Sequence, residues 1–476
     1  AQVRAGRQLF AQHRMPTFIN PESAVAALGF LNEYHRNQQM LLQVPAPLTL
    51  ETPPDIKGAR LIIEGALSEH RAWLSALEAR ALLHAFRIPV IPALPARSAN
   101  EALSAAECLG FPVALKISSP DITHKSEVDG VWLHIDQAEH VRHAYTELLN
   151  RVKTLNPTAR LDGVTVEKMY EGRYGRELML GILQDFTFGP VISFGAGGTA
   201  VEIFNDRAVA LPPLNEHIAT TLIRQTRAAR WLEAWRHVPP INQAALIQTL
   251  LRLSTLACEL PEITELDINP LMADETGVIA LDVRIAVRQT PLSRLRYGHM
   301  AIHPYPGHLI STFETPEGLK ITIRPIRPED ADREQTFVRG LSGEARFFRF
   351  MDTLQELSHD MLIRLTQPDY NRELALIATV MTDDEEQQIG VARYFTNPDG
   401  HSAEFALVIA DAWQGKGLGS RLMTSLIEAA REKGFRYLEG EVLTRNTRML
   451  KLMHRLGFNT QIHSDDPSLY RVMREL

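Results

Sequence analysis

The sequence predicts an α/β protein of more than one domain, and three observations carry that expectation. Between Ala59 and Val287, helical segments alternate with short β-rich runs: PVALKIS at 112–118, GVTVEKMY at 163–170, ELMLGIL at 177–183 and PVISFG at 190–195. Such alternation is the pattern of strands and helices layered on each other. Toward the C-terminus, AEFALVIADAWQGKGLGSRLM at 403–423 runs from an alternating strand through a glycine-punctuated turn into a helix. Two proline-rich stretches, VPAPLTLETPPDIKG at 44–58 and QTPLSRLRYGHMAIHPYPG at 289–307, separate these regions and read as linkers.

Taken in order, PESAVAALGFLNEYHRNQQMLL at 21–42 predicts a helix. Ser23 is a candidate cap, and Val25, Leu28, Phe30, Leu31 and Tyr34 fall near a helical apolar stripe. After the first linker comes the alternating region, and after the second the final domain. There, DDEEQQ at 383–388 reads most simply as a solvated hairpin tip. No internal repeat and no low-complexity tract stands out.

At 476 residues, two to four domains are expected, each large enough to bury its own core. A hydrophobic share of 45% and a charged share of 22% are ordinary for a globular chain. The net charge of −7 argues against broad nucleic-acid or anionic-membrane binding. Cys108 and Cys258 lie far apart in apolar, helix-like contexts, so neither a disulfide framework nor a zinc site is expected, and a cytoplasmic location follows. No apolar run approaches the roughly 20 residues needed to span a bilayer, and no signal-peptide pattern is present. The chain starts AQVRAGRQLF, already inside an amphipathic pattern, and reads as a fragment of something longer.

The strongest chemical signal is at 403–423. In EFALVIA, Phe405, Leu407 and Ile409 share one face while Glu404, Ala406 and Val408 share the other; Leu418, Leu422, Leu426 and Ile427 then line one side of a helix. A glycine-rich turn opening a helix offers unpaired N–H groups and a positive dipole end, which suits a pyrophosphate; alternatively it is a plain tight turn. Downstream, the strand-like YLEGEVL at 437–443 is followed by Asn446, the helical NTRMLKLMHRL and Gly457-Phe458. Together these segments resemble the GNAT acetyltransferase family. The resemblance implies acetyl-CoA binding through Gln414, Gly415, Lys416, Gly417, Leu418 and Gly419, with Gln414, Gly417 and Gly419 cradling the pyrophosphate by backbone amides. The strand at Leu407, Val408 and Ile409 would splay to hold the pantetheine arm, and Asn446 would hydrogen-bond near the cofactor or act as a helix cap. Many family members carry a tyrosine acid seven residues after that asparagine; here the position is Met453, so the acid is unassigned, and His454 is not promoted in its place. Since a lysine amine titrates near about 10.4, something must take its proton. Glu404 stands where the family places a glutamate base; a strand-exposed glutamate is the alternative.

Residues 59–287 resemble the ATP-grasp part of ADP-forming acyl-CoA synthetases, through ALKISSPDITHKSEVDGV at 114–131, VEKMYEGRYGREL at 166–178, GAGGT at 195–199 and ELDINPLMADETGVIALDVR at 265–284. The resemblance implies that Lys116 contacts nucleotide phosphates and that Glu167 and Met169 lie on the adenine hinge strand. Glu177, Gly197 and Gly198 would also serve the nucleotide. Asn269 and Asp282, with Asp267, would hold Mg²⁺ through hard oxygen ligands. His124 matches the loop histidine that accepts phosphate in working synthetases; an exposed loop histidine is the alternative. Residues 1–50 resemble only the tail of the synthetases' CoA-binding partner region, so the chain as given is not expected to form acetyl-CoA from acetate.

The whole chain resembles the C-terminal portion of bacterial protein lysine acetyltransferases that fuse a synthetase-like region to a GNAT domain. The expected organisation is a synthetase-like tail at 1–50, a linker at 51–58, an ATP-grasp domain at 59–290, a linker at 291–318 and a GNAT domain at 319–476. The implied reaction moves acetyl from acetyl-CoA to lysine side chains of metabolic enzymes such as acetyl-CoA synthetase, with ATP and Mg²⁺ as further candidate ligands of a regulatory ATP-grasp region. No nucleic-acid or membrane partner is expected, and homo-oligomerisation stays open. The alternatives are an ADP-forming acetate–CoA ligase with an accessory GNAT domain, or a metabolite-sensing module.

Overall fold

The structure is a computed structural model, and it describes residues 6–7, 9–10, 12–13, 15–41, 53–119, 121–122, 128–198, 206–290, 297–316, 318–352, 354–382, 385–463 and 466–476. They form two compact units, one built around Pro45–Pro306 and the other around Gly307–Glu428 and Tyr437–Leu476. The first predicted helix is present as α1 (Pro21–Leu41), with Val25, Leu28, Phe30, Leu31 and Tyr34 all exposed.

The unit at 45–306 opens with α2 (Ile56–Ser68) and α3 (Ala76–Ala85); the linker predicted at 51–58 thus already contains the start of a helix. Ser75 and Glu78 form a reciprocal capping box that fixes the start of α3. Next come β1 (Ala93–Ala96), α4 (Ala99–Leu109), β2 (Val113–Ser118), β3 (Val131–Ile135), α5 (Ala138–Leu155) and β4 (Gly163–Lys168). The four strands pair antiparallel in the order β1-β4-β2-β3. Ala102 and Ala106 from α4, and Val141, Leu148 and Val152 from α5, pack on Val113, Leu115, Ile117, Val164 and Val166, so the small residues of α4 let both helices lie close on one sheet face.

A second sheet follows, made of β5 (Arg176–Asp185), β6 (Gly189–Ala196), β7 (Arg207–Ala210), β8 (Ile263–Ala273), β9 (Val278–Ala280) and β10 (Val283–Val287), in the order β10-β8-β5-β6-β7 with β9 on β8. Its core joins Leu178, Leu180, Ile182, Phe194, Leu266 and Ile268 to Leu246, Leu250 and Leu253 of a helix at Gln243–Glu259 and to Leu82, Leu83 and Phe86. The predicted strands at 112–118, 163–170, 177–183 and 190–195 are β2, β4, β5 and β6.

The other unit is an eight-stranded sheet in the order β11-β12-β13-β14-β15-β16-β18-β17. Its strands are β11 (Ser311–Glu314), β12 (Lys320–Pro325), β13 (Glu373–Thr382), β14 (Glu385–Thr396), β15 (Ser402–Ile409), β16 (Tyr437–Leu443), β17 (Asn459–Ile462) and β18 (Leu469–Glu475). Because β11 pairs with β12, the sheet starts inside the stretch predicted as linker 291–318. Five helices matter here: α6 (Ala331–Gly340), α7 (Gly343–Phe350), α8 (His359–Thr366), α9 (Leu418–Glu432) and α10 (Thr447–Arg455).

DDEEQQ is not simply a solvated tip. Residues 383–384 lie outside the described residues, but Glu386 accepts from Arg324 at 3.0 Å through both oxygens and from Thr379 Oγ1 at 2.8 Å. Gln388 is buried and donates to Glu334, whose other oxygen takes Arg393 Nη2 at 3.2 Å. Buried charges require such partners, and alternation along β14 turns Glu386 and Gln388 to the same face.

Candidate functional site

Strands β15 and β16 create the site by parting. They are parallel and register at Ser402–Tyr437, Ala403–Leu438 and Glu404–Glu439, and the ladder stops there, although β15 runs on to Ile409 and β16 to Leu443. The other edge of β15 stays bonded to β14 as far as Ile409. Past Glu404, therefore, β15 turns an edge of backbone amides and carbonyls toward a widening gap, and buried backbone groups of this kind need a partner.

A cleft of about 720 Å³ opens at this fork. Leu407, Val408, Ile409, Gln414, Gly415, Gly417, Gly419 and Asn446 line it, so eight of the residues expected to hold acetyl-CoA are brought together. Two are not in the lining: Leu418 is buried, and Lys416 lies with Nζ 5.0 Å from the centre of the Trp413 ring. Gly415 and Gly417 adopt φ of 78° and 84°, a left-handed backbone that favours glycine, and open space surrounds both. Loop position is fixed by the Gln414 side chain, which donates to the Ile409 carbonyl at 3.1 Å and accepts from Arg448 Nη1 at 3.0 Å. Asn446 caps α10, its Oδ1 accepting the Met449 N–H at 3.1 Å.

Glu404 stands at the apex of the fork and outside the cleft lining. Partial burial raises its carboxyl above the usual carboxylate range, Glu441 and Glu439 push the same way, and Arg349 opposes them. Glu439 is committed to Asn397 Nδ2 at 2.7 Å and Arg471 Nε at 3.0 Å, and Glu441 lies 3.3 Å from His463 Nε2. Arg349, from α7, lines the cleft, and burial pushes its guanidinium down to about 10. Met453 is 0% exposed, so the position where a tyrosine acid would stand is sealed in the core.

Several cleft residues escaped the sequence reading. Ser342 caps α7 and donates Oγ to Asp411 at 2.8 Å, tying that helix to the turn after β15. Arg445, Arg448, Lys451 and Arg455 form a basic wall. The helical spacing of 448, 451 and 455 was a signal for the last three; Ser342 and Arg349 lie too far along the chain to have given one.

In the other unit the expected nucleotide residues converge from both sheets. Lys116 Nζ on β2 lies 2.8 Å from Glu167 Oε2 on β4, and Arg80 Nη2 on α3 lies 2.6 Å from Glu167 Oε1. Arg80 Nη2 and Lys116 Nζ also approach the Leu281 carbonyl, at 3.2 and 3.5 Å. Leu281 precedes Asp282, whose carbonyl accepts the Asn269 N–H at 3.2 Å. Asn269 Oδ1 in turn accepts the Gly198 N–H at 2.9 Å, and the Gly197 N–H donates to the Glu177 carbonyl at 2.8 Å. Arg80 is the member that sequence reading missed. With both carboxylate oxygens of Glu167 ion-paired, that side chain is occupied as a positioning group, and the Met169 N–H is already bonded to the Pro112 carbonyl at 3.0 Å. His124 lies outside the described residues.

For Mg²⁺ the donor chemistry fits. Among the described residues no group of three or more His, Cys, Asp or Glu gathers as a metal cage, but Mg²⁺ is commonly held by one or two carboxylates plus substrate phosphates. Asn269 on β8 and Asp282 just before β10 carry oxygen donors and are joined by the Asn269 N–H to Asp282 carbonyl bond. Asp267, raised by burial and by the Asp282 charge and lowered by Arg284, is electrostatically coupled to Asp282.

Comparison with known proteins agrees with this division. Residues 65–287 match the ATP-grasp domain family and residues 345–458 the acetyltransferase (GNAT) family. An ADP-forming acetate–CoA ligase of Archaeoglobus fulgidus is 35% identical over 60% of this chain, which spans only 41% of that protein's length. The beta subunit of a Pyrococcus furiosus ADP-forming acetate–CoA ligase is 38% identical over 48% of this chain and 97% of the subunit. An acetyltransferase of Pseudomonas aeruginosa is 38% identical over 32% of this chain and 81% of that protein. Among the described residues, no helix is long and apolar enough to cross a membrane. The chain belongs to the ATP-grasp family shared with ADP-forming acetate–CoA ligases and, in its last domain, to the GNAT acetyltransferase family.

Proposed function

We propose that the last domain transfers acetyl from acetyl-CoA to a primary amine, and that its acceptor is a lysine side chain of a protein. The observation that carries this reading is the fork: a strand edge, a glycine loop and a basic wall line one cleft, with Glu404 at its apex. The loop amides of 414–419 would hold the pyrophosphate and the β15 edge the pantetheine arm. The amine nitrogen attacks the thioester carbonyl carbon while Glu404 accepts its proton, directly or through one water. The tetrahedral oxyanion then collapses, the C–S bond breaks, and the thiolate leaves. Thiols ordinarily titrate near about 8.5, so a dedicated acid is not essential for the thiolate to leave; Met453, buried and without a proton to give, supplies none, and the acid role is left unassigned. Carboxylates at 404 and 441 favour a cationic acceptor. Incubating the full chain with labelled acetyl-CoA and a candidate protein, then mapping acetylated lysines by mass spectrometry, tests this. Label on free amines but on no protein would remove the protein acceptor and leave the amine transferase.

A second reading is favoured by the share of chain that the relatives cover, 60% for a ligase against 32% for an acetyltransferase. In it, residues 65–287 carry the nucleotide half of an ADP-forming acyl-CoA ligase and the GNAT domain is an accessory. Lys116 would meet nucleotide phosphates, and Asn269 and Asp282 would hold Mg²⁺, whose chemistry when bound would be to neutralise phosphate charge. ADP formation that needs both acetate and CoA would establish this reading. ATP binding without such turnover would leave a regulatory module.

A further inference from the structure

We propose that a pocket on the helix side of the four-stranded β1–β4 sheet, away from the residues expected to meet nucleotide, binds a small organic carboxylate. Arg97, Lys153 and the Tyr145 hydroxyl would hold its anionic end, and Leu149 and Leu161 its apolar body.

The pocket measures about 360 Å³ and is lined by α5, by Arg97 just after β1 and by the start of β4. Strand alternation sets it apart from the nucleotide residues. Leu115, Ile117, Val164 and Val166 pack toward α4 and α5, so Lys116 and Glu167 project from the opposite face of the sheet. Tyr145, Leu149 and Lys153 follow each other at intervals of four on α5 and share one stripe of it. Gly163 closes the far wall. A Cβ there would collide with the Ala96 carbonyl, so glycine lets β4 start close against the end of β1, beside Arg97.

The polar groups of this pocket lack partners. Tyr145 is only 8% exposed, yet among the described residues its hydroxyl makes no hydrogen bond. Buried tyrosine hydroxyls usually find a partner, because leaving one unpaired costs free energy. Burial and the Glu101 carboxylate push this phenol above its ordinary range, so it stays protonated and able to donate. Arg97 and Lys153 are exposed at the rim, and among the described residues neither side chain has an ion pair or a hydrogen bond. Asp162, the carboxylate in the lining, is already met by Arg160 through Nε at 3.1 Å and Nη2 at 3.3 Å. Glu101 accepts the Arg97 N–H at 2.8 Å.

Lys153 lies in the last turn of α5 and would complement the helix dipole without any ligand. That role leaves Arg97 and the buried Tyr145 hydroxyl unexplained, whereas an anion seated among the three satisfies them together. Leu149 and Leu161, half-buried against the core, give the same pocket an apolar wall. A carboxylate on an apolar body suits both surfaces; a phosphate would set its charge against the leucines without gain.

Equilibrium dialysis of the full chain, with benzoate as the probe and benzamide as its uncharged match, tests this. Benzoate should bind saturably and on the order of tenfold or more tighter than benzamide, the size of one charge-assisted hydrogen bond. The double variant Arg97→Gln, Lys153→Gln should lose that preference. Tyr145→Phe keeps the ring and its packing and should weaken benzoate by roughly three- to tenfold. Absence of saturable benzoate binding overturns the site, as does a benzoate affinity that both variants leave unchanged. Inorganic phosphate bound as tightly as benzoate, and lost in the same variants, would overturn the carboxylate assignment.

Discussion

Glu404 and Glu439 stand opposite each other on parallel strands at the last rung before β15 and β16 part. Glu439 is ion-paired with Arg471 and accepts a hydrogen bond from Asn397, so Glu404 is the carboxylate left at the apex, and its raised affinity for protons suits a base that must take one from an amine. Glu404→Gln keeps shape and hydrogen-bonding reach. Its turnover should fall by about 10²–10⁴-fold while acetyl-CoA affinity stays nearly constant. Near-normal turnover with intact affinity would make Glu404 a surface strand residue.

Glu441 acts on the same group through space. Since it raises the Glu404 carboxyl, Glu441→Gln should bring Glu404 back toward the ordinary range. A base works deprotonated, so activity is lost as pH falls through its pKa, and lowering that pKa moves the acidic limb of the rate profile to lower pH. The measurement is kcat against pH for both proteins. An unmoved limb would mean that Glu441 does not govern the base.

What was legible in the sequence was local. EFALVIA and QGKGLG could be read because alternation, glycine spacing and an apolar stripe are carried by neighbouring residues, and β2, β4, β5 and β6 followed for the same reason. The fork is different: it depends on where the β15–β16 ladder ends, a tertiary fact about strands joined through α9. Arg80 pairs with a residue 87 positions away, and Ser342 with one 69 away. A string of residues shows each as an ordinary surface arginine or helix cap. The acidic run at 383–388 misled because composition suggests solvent, whereas β14 carries Glu386 to Arg324.

Gly417 tests whether the loop serves the ligand or only the turn. With φ of 84° and open space where a side chain would stand, Gly417→Ala would meet no clash, only backbone strain of about 1–2 kcal/mol. The loop is expected to relieve that strain by turning its amides. Thermal stability should therefore change little while the dissociation constant for acetyl-CoA rises about tenfold. Equal affinity in the variant would remove the amide cradle from the binding site.

The buried triad of the ATP-grasp domain separates a structural carboxylate from a ligand-binding lysine. Glu167 is 2% exposed and bridges Arg80 and Lys116, two cations that also crowd the Leu281 carbonyl. Removing it with Glu167→Ala would leave both cations uncompensated in a poorly solvated place, which typically costs about 3–5 kcal/mol. Chemical denaturation should show that loss in the domain's unfolding midpoint. Lys116→Met is milder for the fold, because Glu167 keeps Arg80 and the methionine stem fills much of the same space. If Lys116 meets a phosphate, though, this variant should weaken Mg-ATP binding by tenfold or more in calorimetry. Two separable outcomes are thus expected: Glu167→Ala unfolds early, and Lys116→Met stays folded but binds nucleotide poorly. Should Lys116→Met bind Mg-ATP as well as wild-type protein does, the lysine would be only the second half of an internal ion pair.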